Sequence, residues 1–297
     1  MIGESMSGFM SSSTAMKIFE AQAKEPDFDK LRKYAFRPAP GPDGKRIGWV
    51  GLGDPLDLDF SFGINFGRFM AFSLRIDERK PSSAAIKIRL AEALKEEADS
   101  DGKVSGKRKR ELKEAIIAMV TSKTDFIPSL TDCIWDLDAQ RFYVSTASDG
   151  VLTILLELFN KTFGVTPFPI SPKTDMATLF AKVFQKSISV DGGTEVSANG
   201  YSVTLATPEQ QENKAHVAVV NNQGAVATAL EEGLRITKMA LLAVNGEQEL
   251  PFTLADDLTL SGLKLPKGEK GDDAEVTFFL KAEACAHVAH IVETLSK

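Results

Sequence analysis

The chain reads as an α+β protein, a β-rich body interrupted by one long helical excursion. Three observations predict this. Short segments of alternating apolar residues are scattered along the length and mixed with amphipathic segments of helical period. They lack the strict strand–helix–strand alternation of a doubly wound sheet. The stretch Arg75–Trp135 reads as a charged strand end, a helix, a polar tip, a second helix with a basic start, and a return strand. With 297 residues, 43% of them apolar, the chain can bury a sizeable core and supply more than one domain.

Residues 1–13 have neither a basic start nor an apolar run, so they read as a disordered or cloning-derived N-terminus and not as a secretory signal. Ala15–Ala21 reads as a strand, and Phe28–Tyr34 as a short helix opened by Pro26-Asp27. Gly41-Pro42-Asp43-Gly44 is a turn before a strand edge at Gly48-Trp49-Val50. Phe60–Ile76 alternates loosely, with Phe60, Phe62, Ile64 and Phe66 on one side, and reads as two strands around Asn65–Arg68. Ile86, Leu90 and Leu94 mark one helix face; Leu112, Ile116 and Val120 mark another. Polar, Gly-interrupted Asp99–Gly106 connects them.

Cys133–Leu137 and Arg141–Ser145 flank a hairpin turn at Asp138-Ala139-Gln140. Val151–Phe163 is a Leu-rich amphipathic helix, and Pro167–Pro172 a loop and domain boundary. Met176, Leu179, Phe180, Val183 and Phe184 trace the next helix. Strands follow at Tyr201–Leu205, His216–Val220, Leu234–Val244, Leu250–Leu254 and Leu258–Leu265, with an Ala-rich helix at Val226–Glu232 among them. Val276–Lys281 reads as a last strand and Ala282–Leu295 as a closing helix. The domains implied are a central α+β domain (14–75 plus 131–170), a projecting helical tip arm (76–130) and a C-terminal α+β base domain (171–297).

The net charge of −6 argues against a nucleic-acid surface spread over the whole molecule. Its distribution argues for a local one. Arg75–Asp125 carries 13 basic against 10 acidic residues, a net of +3, which leaves −9 for the rest. The positive charge is densest at Lys103–Lys113. An acidic body with a basic working face can hold DNA, because phosphate attraction is local under physiological screening. Lys87, Arg89, Lys103, Lys107, Arg108, Lys109, Arg110 and Lys113 are therefore the candidate DNA contacts. Such side chains neutralise phosphates and release counterions, which gives affinity without sequence choice. The plainer alternative is a solvated helix start.

Other chemistry is poorly supported. Cys133 and Cys285 are far apart, so no disulfide framework follows. No window approaches 18 consecutive apolar residues, so no membrane span is expected, and the expected compartment is the cytoplasm. Gly41–Arg46 imitates a phosphate loop but has the wrong spacing and no Ser or Thr after the lysine. Asp54, Asp57 and Asp59 could gather Mg²⁺ through hard oxygen ligands, or form a solvated loop. His287 and His290, near Cys285, read as a partly buried helix face. Three histidines without a nucleophile elbow assemble no triad. No catalytic residue, metal or cofactor is assigned.

Several motifs occur in a consistent order over residues 14–297. They are Phe36-Arg37-Pro38 with Gly48-Trp49-Val50, the charged segment Glu78–Pro81 followed by Ile86-Lys87, and the lysine-rich second helix. Phe126–Trp135, running into a strand, and Glu232–Leu241 follow. Together they resemble the RdgC family of bacterial recombination-associated DNA-binding proteins. The resemblance implies a ring-shaped homodimer whose basic central opening admits double-stranded DNA. It implies a non-enzymatic, nucleoid-associated protein that restrains the RecA recombinase by occupying its substrate. It also implies that Phe126 matches a tip phenylalanine packing into the partner subunit. The chain departs from the family beside this residue, with Thr124 and Pro128 in place of arginines and Asp125 adding a negative charge. A lone arm exposing Ile116, Val120 and Phe126 adds its own reason to expect a dimer. Two alternatives stay open: a metal-dependent DNA exonuclease using Asp54–Asp59, and a dimeric scaffold without DNA affinity.

Overall fold

The structure, a computed structural model, describes residues 8–11, 13–22, 29–39, 44–61, 64–102, 104–190, 193–207, 215–218, 223–268 and 272–297. Pro26, Asp27, Phe28, Gly41, Pro42, Asp43, Phe62, Lys103, Val219 and Val220, all named above, lie outside the described residues. The elements run β1 (Thr14–Glu20), α1 (Asp29–Lys33), β2 (Arg46–Val50), β3 (Asn65–Phe66), β4 (Phe69–Arg79), α2 (Ser83–Asp101) and α3 (Gly106–Ser122). Then come β5 (Phe126–Asp136), β6 (Arg141–Val144), α4 (Asp149–Phe163), β7 (Phe168–Pro169), α5 (Met176–Gln185), β8 (Ile188–Val190) and β9 (Thr194–Ala206). β10 (Ala215–Ala218), α6 (Gln223–Glu231), β11 (Arg235–Asn245), β12 (Gln248–Ala255), β13 (Leu260–Leu263) and α7 (Ala274–Leu295) complete the chain. The α+β class is as expected from the sequence.

The strands hydrogen-bond in the order β10-β9-β11-β12-β13-β1-β6-β5-β4-β2, with β3 on β4, β7 on β1 and β8 on β9. β1 is the hinge of this order, pairing antiparallel with β13 through Met16↔Leu260 and with β6 through Ile18↔Tyr143. By internal contacts the chain forms two units. The first comprises the described parts of Met1–Ala35, Trp49–Leu74 and Leu130–Lys297; the second comprises those of Phe36–Gly48 and Arg75–Ser129. The sequence reading divides the first unit further, at residue 170.

Two packed regions make the core of the first unit. On β11 the alternation Met239, Leu241, Ala243 faces inward with Phe252 and Leu254 of β12, against Phe180, Val183 and Phe184 of α5. α7 adds Phe278, Ala282, Cys285, Ala289 and Val292, a buried stripe at helical spacing. The second region is aromatic. Phe159 of α4 lies 4.3 Å from Phe142 and 5.0 Å from Trp135, and Trp49 packs edge-on to Phe72 at 4.9 Å. Both buried indoles find acceptors, Trp49 on the Thr162 hydroxyl at 2.8 Å and Trp135 on the Ala21 carbonyl at 3.0 Å.

Three local readings change. The expected strand Val276–Lys281 is the first part of α7, because Phe278 belongs to the helical stripe that reaches Val292. The loop Pro167–Pro172 contains β7, whose Phe168 and Pro169 pair with β1. Phe9 lies within the stretch expected to be disordered, yet it is fully buried.

A buried carboxylate explains that last result. Asp132 on β5 accepts the Phe9 N–H at 2.9 Å and the Ser73 hydroxyl at 2.6 Å. Ser73 in turn accepts the Gly53 N–H at 3.0 Å. Lys281 of α7 donates to the Met10 carbonyl at 2.7 Å. Burial pushes the Asp132 pKa up, while the bonds from Ser73 and Phe9 and the nearby Lys281 charge pull the other way. Gly8 is required here: its φ of 103° suits glycine, and a Cβ would strike the Asp132 carboxylate. Asp132→Ala leaves the Phe9 and Ser73 donors unsatisfied and is expected to cost about 1–3 kcal/mol in chemical denaturation. An unchanged midpoint would show that the network contributes nothing.

Candidate nucleic-acid interface

The second unit pairs α2 with α3. Each helix opens on a serine cap, Ser82 accepting the Ala85 N–H at 3.4 Å and Ser105 accepting the Arg108 N–H at 3.2 Å. Lys107, Arg108 and Lys109 lie in the first turn of α3, which opens on Gly106, and Arg110 follows directly; all four are exposed. The positive end of the helix dipole opposes cations there by about a few tenths of a kcal/mol each. Arg108 has a structural role. Its Nε donates to Glu97 of α2 at 2.6 Å, a second contact reaches Glu111 at 3.5 Å, and Glu97 chiefly raises its pKa. Among the described residues, Lys107, Lys109, Arg110 and Lys113 have no ion-pair partner.

Lys87 and Arg89 are exposed on α2, also without an ion pair among the described residues. At a rise of about 1.5 Å per residue they lie about 12–15 Å along α2 from the Glu97–Arg108 tie. The cations are thus spread along both helices, densest at the start of α3. Lys103 lies outside the described residues.

Phe126 is half-buried, with two guanidinium groups against its ring. Arg46 lies 3.7 Å from the centroid and Arg79 4.6 Å. Arg79 Nη1 also donates to the Ser122 carbonyl at 3.0 Å, at the C-terminal end of α3. A cleft of about 500 Å³ is lined here by Lys45, Arg46, Glu78, Arg79, Ser122 and Phe126. The sequence reading placed Arg79 in a charged motif and Arg46 at the end of a segment set aside as an imitation phosphate loop; no local pattern connects Arg46 to Phe126. Ile116 is only 7% exposed in the single chain, so it needs no partner to cover it. The exposed apolar side chains of this unit are Ile88, Ile117, Met119 and Ile127.

The acidic run has local work to do. Asp57 accepts the Ser61 N–H at 2.9 Å and the Ser61 hydroxyl at 3.1 Å, and Asp54 accepts the Leu56 N–H at 2.8 Å. These bonds shape the loop, as aspartates in turns do. Among the described residues no three His, Cys, Asp or Glu side chains converge as metal ligands.

A second cleft, about 420 Å³, lies in the first unit and is lined by Arg68, Asp136, Arg141, Glu283, His287 and Glu293 among others. Its acids meet arginines. Arg141 forms a fork on Glu293 at 2.6 and 2.9 Å, and Arg68 reaches Glu283 at 2.8 Å. Arg68 Nε also stands 3.2 Å from Asp136, an electrostatic contact without hydrogen-bond geometry.

The family model described as "Putative exonuclease, RdgC" matches residues 16–284, from β1 into α7. The chain belongs to the RdgC family. A similar curated protein is the recombination-associated protein RdgC of Actinobacillus pleuropneumoniae serotype 7 (strain AP76). It is 27% identical over 260 residues, which cover 82% of this chain and 79% of the relative. The RdgC match thus takes in both units, the basic start of α3 and Phe126 included. Among the described residues of this RdgC-family chain, no helix is long and apolar enough to cross a membrane.

Burial, and then the neighbouring His290, lower the pKa of His287, whose Nε2 sits 3.3 Å from the Thr194 hydroxyl. The unfolded chain therefore takes up this proton at higher pH than the folded one. Stability from His287 is present above the ordinary histidine range and lost as pH falls through it. His287→Gln is expected to flatten the fall in melting temperature on acidification through that range. An unchanged pH profile would assign the slope to other groups.

Proposed function

We propose that this RdgC-family chain binds double-stranded DNA without sequence choice, as a ring-shaped homodimer, and modulates RecA-type recombination by occupying the recombinase's substrate. In this reading it works in the cytoplasm on nucleoid DNA. The observation that carries the reading is the set Lys107, Lys109, Arg110 and Lys113. Four exposed cations crowd the beginning of one helix, without ion pairs among the described residues, in a chain of net charge −6. Helix stability alone disfavours Lys107 and Lys109 in the first turn, and duplex phosphates compensate them and neutralise the rest of the set. Family membership and the relative's name, a recombination-associated protein, point the same way.

Arg108 is better left in place, because it ties α3 to α2 through Glu97. The test is the combined variant Lys107→Glu, Lys109→Glu, Arg110→Glu and Lys113→Glu. Acidic residues suit a helix start, so folding should survive. Duplex binding is expected to disappear at low salt while the circular dichroism spectrum stays that of the parent. A variant that binds duplex as the parent does moves the DNA face elsewhere and favours the scaffold reading. Degradation of linear duplex that requires Mg²⁺, tested on the same samples, would favour the exonuclease reading suggested by the family description.

For assembly, we propose contacts through the C-terminal strands and near Phe126, where exposed Ile127 adds an apolar side chain. Light scattering at micromolar concentration is expected to give the mass of a dimer. The mass of a monomer would remove the ring.

A further inference from the structure

We propose that Arg46 and Arg79, held against Phe126, form a separate phosphate-binding pocket, and that its ligand is a phosphodiester of the nucleic-acid backbone. The identity of the ligand rests on the duplex-binding reading; the pocket itself does not, and its lining includes none of the candidate cations of α2 and α3.

The two guanidiniums lie 3.7 and 4.6 Å from one ring centroid, so they can be no farther apart than those two distances together, and both line the same cleft. Like charges repel at such range, and a structure normally interleaves carboxylates. Nearby cations follow that rule: Arg75 forks onto Asp77 at 2.7 and 2.8 Å, and Lys45 meets Glu78 at 3.0 Å. Arg46 and Arg79 do not. Among the described residues neither has a carboxylate partner, and the Nε of each is buried without a hydrogen-bond acceptor. The Phe126 ring attracts both cations but accepts no hydrogen bond from either Nε. Arg79 spends one Nη1–H on the Ser122 carbonyl, and its remaining donors stay available.

The cleft of about 500 Å³ beside them can hold a tetrahedral anion with room to spare. A phosphate offers several acceptor oxygens to fork-shaped donors that are already fixed in place, the geometry at which arginine surpasses lysine. Glu78, the one acid among the described residues lining the cleft, is engaged with Lys45 and leaves the cluster cationic. Guanidiniums already lie against the ring, so charge and not base stacking is the means of recognition. A backbone phosphodiester is therefore favoured over an unstacked base.

Two measurements on the full chain test this. In the first, duplex affinity is followed against salt for the parent and for Arg46→Gln. Loss of one phosphate contact is expected to reduce the slope of log Kobs on log salt by about 0.9 per chain. In the second, thermal unfolding is compared in inorganic phosphate and in chloride at equal ionic strength. Phosphate should raise the parent's Tm, and Arg46→Gln should lose that rise. An unchanged slope together with an unchanged phosphate response overturns the pocket. If the parent binds no duplex yet shows a phosphate response that depends on Arg46, the pocket is upheld, and both its nucleic-acid ligand and the duplex reading fall. Should Arg46→Gln fail to fold, Arg46→Lys keeps the charge and gives up the fork. It is expected to retain the salt slope and lose the phosphate response; retaining both overturns the proposal.

Discussion

The hydrogen bond from Ser73 to the buried carboxylate of Asp132 joins β4 and β5, each of which has residues in both units. Much of the first unit depends on this carboxylate. Phe9 is drawn in by its N–H bond to the other oxygen, Gly53 is held through Ser73, and Lys281 of α7 closes over the Met10 carbonyl. A buried carboxyl group is tolerated only when its polar atoms are engaged, and that requirement fixes three distant stretches of chain around one atom group.

The second unit carries a different electrostatic logic. Some of its cations are matched, Arg75 by Asp77, Arg108 by Glu97 and Lys45 by Glu78. Others, at the start of α3 and around Phe126, are left without carboxylates among the described residues. A protein that spreads −9 over the rest of its length has acids to spare, so the mismatch is a property of placement and not of composition. Unmatched cations at a helix start, and paired guanidiniums on one aromatic ring, are both unfavourable in the isolated chain. Both become favourable against a polyanion.

Periodic elements were the most legible in the sequence. The spacings Ile86–Leu94 and Leu112–Val120 locate α2 and α3; the Phe60–Ile76 reading locates β4 and the short β3, while Phe60, at a φ of 57°, lies outside any strand. The α7 region misled because Val276, Thr277, Phe278 and Phe279 favour strand locally, while burial of Phe278 with Ala282 and Cys285 selects helix. β8, three residues long, is too short for periodicity to mark. At the candidate interface the basic run was plain, since charge is read directly from residue type. The engagement of Arg108 by Glu97, the burial of Ile116 and the meeting of Arg46 with Phe126 were not legible. Each is a tertiary contact between residues that no short pattern links.

The most direct test of the account is the affinity of the parent protein for duplexes of unrelated sequence across a salt series. The account predicts equal affinities that fall linearly on logarithmic axes. For 6–10 phosphate contacts, the loss is about 10³–10⁵-fold between about 50 and 200 mM salt. An affinity that barely changes over that range, or a clear preference for one sequence, would contradict it.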